Sequence, residues 1–293
     1  MRVGLLASDS KIPNLALMKL SAWHKMQGDK VEEYFPVWSQ TLDRLYISKI
    51  FEYSPLPGYL PDCEIVRGGT GYCLKKELPA EVESMCPDYN IFRCGYAMGF
   101  TSRGCIRNCP FCLVPKKEGM VREVADIHQF WTGQKQIKLL DNNLTALPDH
   151  FEKILKQLIK HKLQVDFSQG LDIRLLNNDM AALLAKVSLW KQIHFAWDHI
   201  SHEQAVRRGI ALLQKHMPLS RIMFYVLIGF DSSPEEDLYR VETLRSLNVD
   251  SFAMPFDKHD RYQKDFARWV NRKAVFNTCS WHEYRKGGRA DGN

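Results

Sequence analysis

No stretch of the 293-residue chain is apolar for long enough to cross a membrane: the longest run, Ile222 to Phe230, falls far short of the roughly 20 residues such a helix needs. The apolar opening, Val3 to Ala7, is too short for a secretory signal. Cysteine is scarce, and eight among 293 residues are too few for a disulfide scaffold. Charge of one sign is not in great excess either. The 40 Lys and Arg against 34 Asp and Glu leave a net +6, which permits an acidic partner such as RNA without arguing strongly for one. No internal repeat finer than a βα unit and no low-complexity tract is present. These absences point to a cytosolic globular protein with no membrane partner. Its 45% hydrophobic content supplies the core of one large domain or two modest ones.

What the chain does hold is ordered. Residues 1 to about 75 alternate strand-like and helical material: Arg2 to Ala7, a helix after Pro13 marked by Leu15, Met18 and Ala22 and ended by Gly28, then "KVEEYFPVW", "RLYISKIF" and "CEIVRGG". The run "RGGTGY" from Arg67 has Leu74 where a nucleotide-binding glycine pattern needs glycine, and reads as a strand-end turn. Leu78 to Pro87, with its prolines and charges, reads as a linker. From Tyr96 the alternation becomes regular. The strands are "YAMGFTS", "QIKLLDNN", "QVDFSQG", "QIHFAWD", "RIMFYVLIG" and "DSFAMPF", with helices expected after Val121, Asp149, Asn178, Ser201, Ser233 and about Tyr262. Phe151, Ile154, Leu155, Leu158 and Ile159 form an apolar stripe between lysines, as a helix lying on a sheet requires. Ser201 with Gln204, and Ser233 with Pro234 and Glu236, carry capping-box spacing.

Six mostly apolar strands, each followed by a helix, predict an α/β fold, specifically a partial (β/α)6 TIM-like barrel preceded by a small Rossmann-like α/β domain. The expected domains are residues 1–88, with the linker, and 89–293. In such architectures the chemistry sits at the carboxyl ends of the strands. There, in "SRGCIRNCPFC", Cys105, Cys109 and Cys112 fall within eight positions. In a reducing compartment so tight a group reads as a metal or redox site. A 4Fe-4S cube has four irons, so three thiolates leave one iron for another ligand. Zinc, or a fully ligated electron-transfer cluster completed by Cys94 or Cys279, is the blander reading.

The C-x3-C-x2-C spacing with Phe111 before the last cysteine resembles the radical S-adenosylmethionine superfamily, as does the order of six βα units from Tyr96 to Phe256. "VLIGFDSSPEED" resembles its fifth-strand segment. An α/β domain ahead of the barrel is similar to the branch that includes cobalamin-binding members and methylthiotransferases. The resemblance implies a 4Fe-4S cluster on Cys105, Cys109 and Cys112 that reductively cleaves S-adenosyl-L-methionine to a 5'-deoxyadenosyl radical, which removes a substrate hydrogen. It also implies an electron donor such as flavodoxin or ferredoxin. The implied cofactor contacts are Asp141, Asn142 and Asn143 toward the methionine ammonium, Gln169, Asp172 and Arg174 near its carboxylate, Phe111 at the adenine, and Ile228 with Gly229 flanking the nucleoside. Asp198 and His199 are placed to touch substrate.

The leading domain lacks the Asp-x-His-x-x-Gly stretch through which related members ligate cobalamin; its first loop reads "SDSKIPN". Cys63, Cys73, Cys86 and Cys94 have irregular gaps and read as small hydrophobes rather than a second cluster. His199 and His202 read as capping or surface groups. Between Arg261 and Arg289 stand eight Lys or Arg against two acids, interleaved with aromatics. The favoured reading is an amphipathic last helix whose Phe266, Trp269 and Val270 pack inward, with nucleic-acid contact as the alternative. Two further functions stay open: methylthiotransferase-like RNA modification, which needs a second cluster or a sulfur source, and a non-catalytic iron-sulfur electron-transfer or binding protein.

Overall fold

Asn14 opens the first helix because its side chain accepts the Leu17 amide at 3.1 Å, and its amide nitrogen donates to Ser48 at 2.8 Å, tying the helix start to a strand end. The computed structural model describes residues 1–9, 12–37 and 41–287. Ser10 and Lys11 of the first loop, Trp38 of the second strand-like stretch and Arg289 of the basic tail lie outside them. The chain divides into two compact units, Met1–Asn142 with His161–Gln164, and Asn143–Lys160 with Val165 onward.

In the first unit, strands β1 (Arg2–Ala7), β2 (Lys30–Glu33), β3 (Arg44–Ser48) and β4 (Glu64–Gly68) form a parallel sheet in the order β2-β1-β3-β4, with helix α1 (Leu15–Met26) following β1. Val3 and Leu5 of β1 pack on Leu17 and Leu20 of α1, while Leu45 and Ile47 of β3 join Tyr34 and Leu42 in a second cluster. Asp9, just past β1, accepts the Ile50 and Phe51 amides at 2.8 Å, closing the carboxyl end of this sheet. The 78–87 stretch is more than a linker. It contains a one-turn helix, α2 (Ala80–Glu83), whose Val82 is buried against Val3 and Leu17, so four residues of local sequence are held by tertiary packing.

The same unit continues with β5 (Ala97–Gly99), β6 (Ser102–Arg103), α3 (Val114–Glu118), β7 (Arg122–Glu123) and β8 (Gln136–Leu139); β5 and β8 are parallel, β6 and β7 antiparallel. The expected helix after Val121 is absent. Arg122 and Glu123 pair with β6, the Thr101 carbonyl takes the Val124 and Ala125 amides, and Asp126 caps a single 3-10 turn over Ile127–Gln129. Val124, Ile127 and Phe130 recur at three-residue steps, but strand pairing and the Asp126 cap take the backbone groups that a helix would need.

The second unit runs α4 (Pro148–Lys160), β9 (Gln164–Phe167, its first residue counted with the first unit), α5 (Asn178–Ala185), the two-residue β10 (Ser188–Leu189), β11 (Ile193–Ala196), α6 (Glu203–Gln214), β12 (Ile222–Ile228), α7 (Pro234–Ser246), β13 (Asp250–Pro255), α8 (Arg261–Asn271), α9 (Lys273–Thr278) and α10 (Trp281–Gly287). The architecture is α/β with parallel sheets, as expected. β11, β12 and β13 are parallel neighbours with Phe195, Phe224 and Ser251 in register. On β12, Ile222, Phe224, Val226 and Ile228 are buried and the residues between them half-buried, so one face is sealed by helices. Phe266, Trp269 and Val270 of α8 are buried as the amphipathic reading requires, and a fully buried Phe is worth about 1.5–3 kcal/mol.

The Ser233 capping box forms with both of its bonds, at 2.9 and 3.3 Å. The Ser201–Gln204 box does not. His199 caps a 3-10 turn there, accepting the Ser201 amide, and α6 starts at Glu203 without a side-chain cap. At the outer edge of the sheet, Asn271 of α8 pairs with the β13 backbone at Ala253, accepting its N–H at 2.8 Å and donating to its carbonyl at 3.0 Å. Among the described residues no helix is long and apolar enough to span a membrane.

Candidate metal centre and cofactor site

The cysteine loop leaves the end of β5 through Phe100 to Gly104, and acidic and amide groups past β8 hold it there. Asp141 is buried, and its carboxylate accepts four hydrogen bonds: from the Thr101 amide at 3.2 Å, the Thr101 hydroxyl at 2.6 Å, the Ser102 amide at 2.5 Å and the Ser102 hydroxyl at 2.6 Å. Burial pushes this carboxyl above the usual range, while the Ser102 and Thr101 donors pull it down. Asn142 accepts the Gly104 amide at 3.0 Å. Gly104 has φ +87°, and a Cβ there would stand 2.4 Å from the Met120 carbonyl, so only glycine fits between strand and loop. The Cys105 amide then donates to the Gly119 carbonyl at 3.1 Å, which closes the loop on itself.

None of the eight cysteines is in a disulfide, and Cys105, Cys109 and Cys112 are all half-buried. Two of the three sulfurs already accept backbone N–H groups, Cys105 from Arg107 at 3.3 Å and Cys112 from Val114 at 3.4 Å. Amide-to-sulfur bonds of this kind tune iron-sulfur clusters, so the donor set and its surroundings fit a thiolate-bound metal group. Among the described residues no three Cys, His, Asp or Glu side chains converge on a common centre. One short loop presents the three thiols without drawing them together. Phe111 is half-buried beside Cys112. By contrast, burial pushes the Cys63, Cys86 and Cys94 thiols up, which disfavours the ligating thiolate form.

Asp141 and Asn142, read from sequence as contacts to the methionine ammonium, thus spend their oxygens on the loop. Exchanging the carboxylate for an amide turns an NH2 toward those donors. Asp141→Asn is expected to cost about 1–3 kcal/mol in urea unfolding and to lower the iron retained after reconstitution, whereas an equal change at exposed Asp149 leaves both unaltered.

In the second unit, Asn143 accepts the Thr145 hydroxyl at 3.0 Å, and that hydroxyl accepts the Asp172 amide at 3.0 Å. Asp172 caps the turn after β9 and grips Arg174 with both oxygens, at 2.7 and 3.0 Å; the third guanidinium nitrogen lies 3.3 Å from His202. Gln169 is exposed in the turn between them. Ile228 ends β12 with its side chain fully buried, which leaves only its backbone to meet a ligand. Gly229 has φ +74°, and a Cβ there would lie 2.2 Å from Gln263. Asp198 is half-buried past β11; burial raises its carboxyl, against the pull of the Leu227 backbone, Arg240 and Arg174. His199 acts as a turn cap, 3.9 Å from Asp231.

Sequence reasoning passed over the group that organises this end of the second unit. Asp237 and Arg240 of α7 form a wholly buried ion pair at 2.5 Å. Arg240 also donates to the carbonyls of Trp197 at 2.8 Å and Leu227 at 2.9 Å, one past β11 and one on β12. Asp237 accepts from the Gly229 amide at 3.2 Å, the Ser232 hydroxyl at 2.7 Å and the Tyr262 hydroxyl at 3.1 Å. Their three-residue spacing in "PEEDLYRVETLR" looks like any solvated helix face, so no signal distinguished them.

With a parallel α/β core whose first strand leads into a three-thiol loop, the chain is similar in fold to a radical S-adenosylmethionine protein and, over part of its length, similar in sequence to another. In sequence it is 25% identical over 162 residues to the ribosomal protein uS12 methylthiotransferase RimO of Pelobacter propionicus, a match covering 46% of this chain. The match spans only 36% of that relative's length. In fold it is similar to the radical S-adenosylmethionine methyltransferase TsrM from Kitasatospora setae, solved with cobalamin and a 4Fe-4S cluster, with a TM-score of 0.67 at 13% identity, covering 87% of this chain and 74% of that one. No protein-family model matches the chain.

Proposed function

We propose that the chain is a radical S-adenosylmethionine enzyme, with residues 1–88 as a leading α/β domain and 89–293 as the reaction core. The observation that carries this is the loop itself: three thiols in eight positions at a strand's carboxyl end, two of them receiving backbone N–H groups. Cys105, Cys109 and Cys112 would hold a 4Fe-4S cluster, with Asp141 and Asn142 fixing the loop that carries them. When bound, the cluster supplies the electron that splits S-adenosylmethionine to methionine and a 5'-deoxyadenosyl radical able to remove a hydrogen from substrate. Asn143, Gln169, Asp172 and Arg174 present polar groups after the second and third core strands. The Arg174 guanidinium is held by both oxygens of Asp172 and lies 3.3 Å from His202, which fixes its orientation at this strand end. Phe111 and the backbone at Ile228 and Gly229 offer apolar and amide contacts to a nucleoside. The electron comes from a donor such as flavodoxin or ferredoxin.

Anaerobic incubation of iron-loaded protein with S-adenosylmethionine and dithionite is expected to release 5'-deoxyadenosine. A loaded protein that releases none refutes the proposal and favours the electron-transfer reading. The RimO match supports a second reading, modification in the methylthiotransferase manner. About eight irons per chain would favour it, and about four the single-cluster enzyme. Cys63, Cys86 and Cys94, whose thiols burial pushes up, support the lower count.

A further inference from the structure

Helix α8 has two unlike faces. Gln263, Phe266, Ala267, Trp269 and Val270 are buried, while Arg261, Lys264, Arg268 and, at the cap, Arg272 are exposed. Those four cations recur at steps of three, four and four residues, which keeps them on one side of the helix. At about 1.5 Å rise per residue they form a line about 16 Å long. The burial of the apolar side accounts for Phe266 and Trp269 and leaves the cations unexplained, since packing α8 does not need them.

The charge is also local. Residues 261–285 contain six Lys or Arg against two acids, a surplus of four out of the net +6 of the whole chain. Asp265 is the single acid on α8. It lies 3.9 Å from Arg261 and 3.3 Å from Arg268, and their side chains stay 93% and 46% exposed. Exposed pairs of this kind contribute little and give way readily to a stronger anion. Beside α8, Trp281 lies 5.1 Å from Phe266, stacks on Tyr284 at 5.9 Å and carries the Arg285 guanidinium 5.8 Å from its ring centre. Both Trp281 and Tyr284 remain half-exposed.

From this we infer that the outer face of α8, with Trp281 and Tyr284 at its side, is a docking surface for an RNA backbone. A row of three guanidinium groups and one ammonium suits phosphate oxygens, which arginine binds through two parallel N–H groups, and aromatic rings beside such a row take unpaired bases. An acidic protein would match the charge but has no use for a stacking ring. The surface would serve this role whether or not the chain performs radical chemistry.

The test is fluorescence anisotropy of the full chain with a fluorescein-labelled, mixed-sequence single-stranded RNA, titrated at several salt concentrations. Replacing Arg261, Lys264 and Arg268 together by Gln is expected to weaken binding roughly tenfold or more at low salt. The slope of log affinity against log salt should fall by about 2, as three lost contacts to a single strand require. Replacing Lys153, Lys156 and Lys160 of α4 by Gln removes the same charge from another exposed face and is expected to change neither. Arg261→Glu alone, at the most exposed site, is expected to act in the same direction, which keeps the result readable should the triple variant melt early. Equal losses from the α8 and α4 variants, an α8 variant that binds as the parent does, or polyglutamate competing as well as unlabelled RNA would each overturn the inference.

Discussion

Alanine at any one of Cys105, Cys109 or Cys112 is expected to strip the reconstituted protein of its iron, about four per chain in the parent on a single-cube count, and to reduce 5'-deoxyadenosine formation to the rate without protein. The expectation rests on chemistry rather than on packing. The three side chains are half-buried in a loop closed by backbone bonds, so removing one sulfur leaves the loop's own hydrogen bonds at Asp141, Asn142 and Gly119 in place. Stability in urea should therefore change by less than about 1 kcal/mol while iron is lost entirely. Cys63→Ala and Cys73→Ala should retain iron and activity. So should Cys94→Ala, because its thiol is raised by burial and already donates to the Tyr96 carbonyl at 3.2 Å. A parent protein that binds zinc instead of iron, or one that loses its cluster on Cys94→Ala, would contradict the assignment of ligands.

The largest loss of stability is expected from Asp237→Ala. Both members of the Asp237–Arg240 pair are fully buried, so the alanine variant leaves a guanidinium enclosed without its counter-charge, at a cost of about 3–5 kcal/mol. The Gly229 amide and the Ser232 and Tyr262 hydroxyls lose an acceptor in the same step. Replacing both members, Asp237→Leu with Arg240→Met, should cost clearly less than the sum of the two single changes, because no buried charge then remains. Urea unfolding of the four proteins checks the cycle, and additive losses would show that the pair acts as two independent contacts. The network also bonds residues past β11 and at the end of β12, where the nucleoside contacts are proposed. Asp237→Ala should therefore weaken S-adenosylmethionine binding even at temperatures where the variant is folded.

The parts of the fold legible in the sequence were those fixed by local rules. Apolar spacing located α4, alternating strands located the six core segments, and Ser233 with Glu236 marked α7 down to its two capping bonds. The failures share a cause. At Val121, pairing with β6 and the Thr101 carbonyl outcompeted helix formation. At Ser201 a histidine took the cap, and at Ala80 packing of Val82 made a helix where composition suggested a linker. Each turned on a competition for backbone or side-chain partners that the spacing of residue types does not decide. The same holds for the site. The thiols were evident from spacing, but that Asp141 would spend four bonds on Thr101 and Ser102 follows from neighbours some 40 residues away, and that Asp172 would hold Arg174 follows from a turn whose side chains spacing alone does not orient.

The Asn271 amide sits against Ala253 as a single-residue imitation of a next strand. A parallel sheet that stops before closing leaves a row of unsatisfied backbone groups, the template on which chains zip into aggregates. By occupying both polar groups of one residue in that row, a side chain from α8 interrupts the template while leaving exposed Phe252 and Met254, on either side of Ala253, uncovered. The final strand is thereby barred from recruiting a copy of itself, yet keeps an oily surface for something smaller to touch.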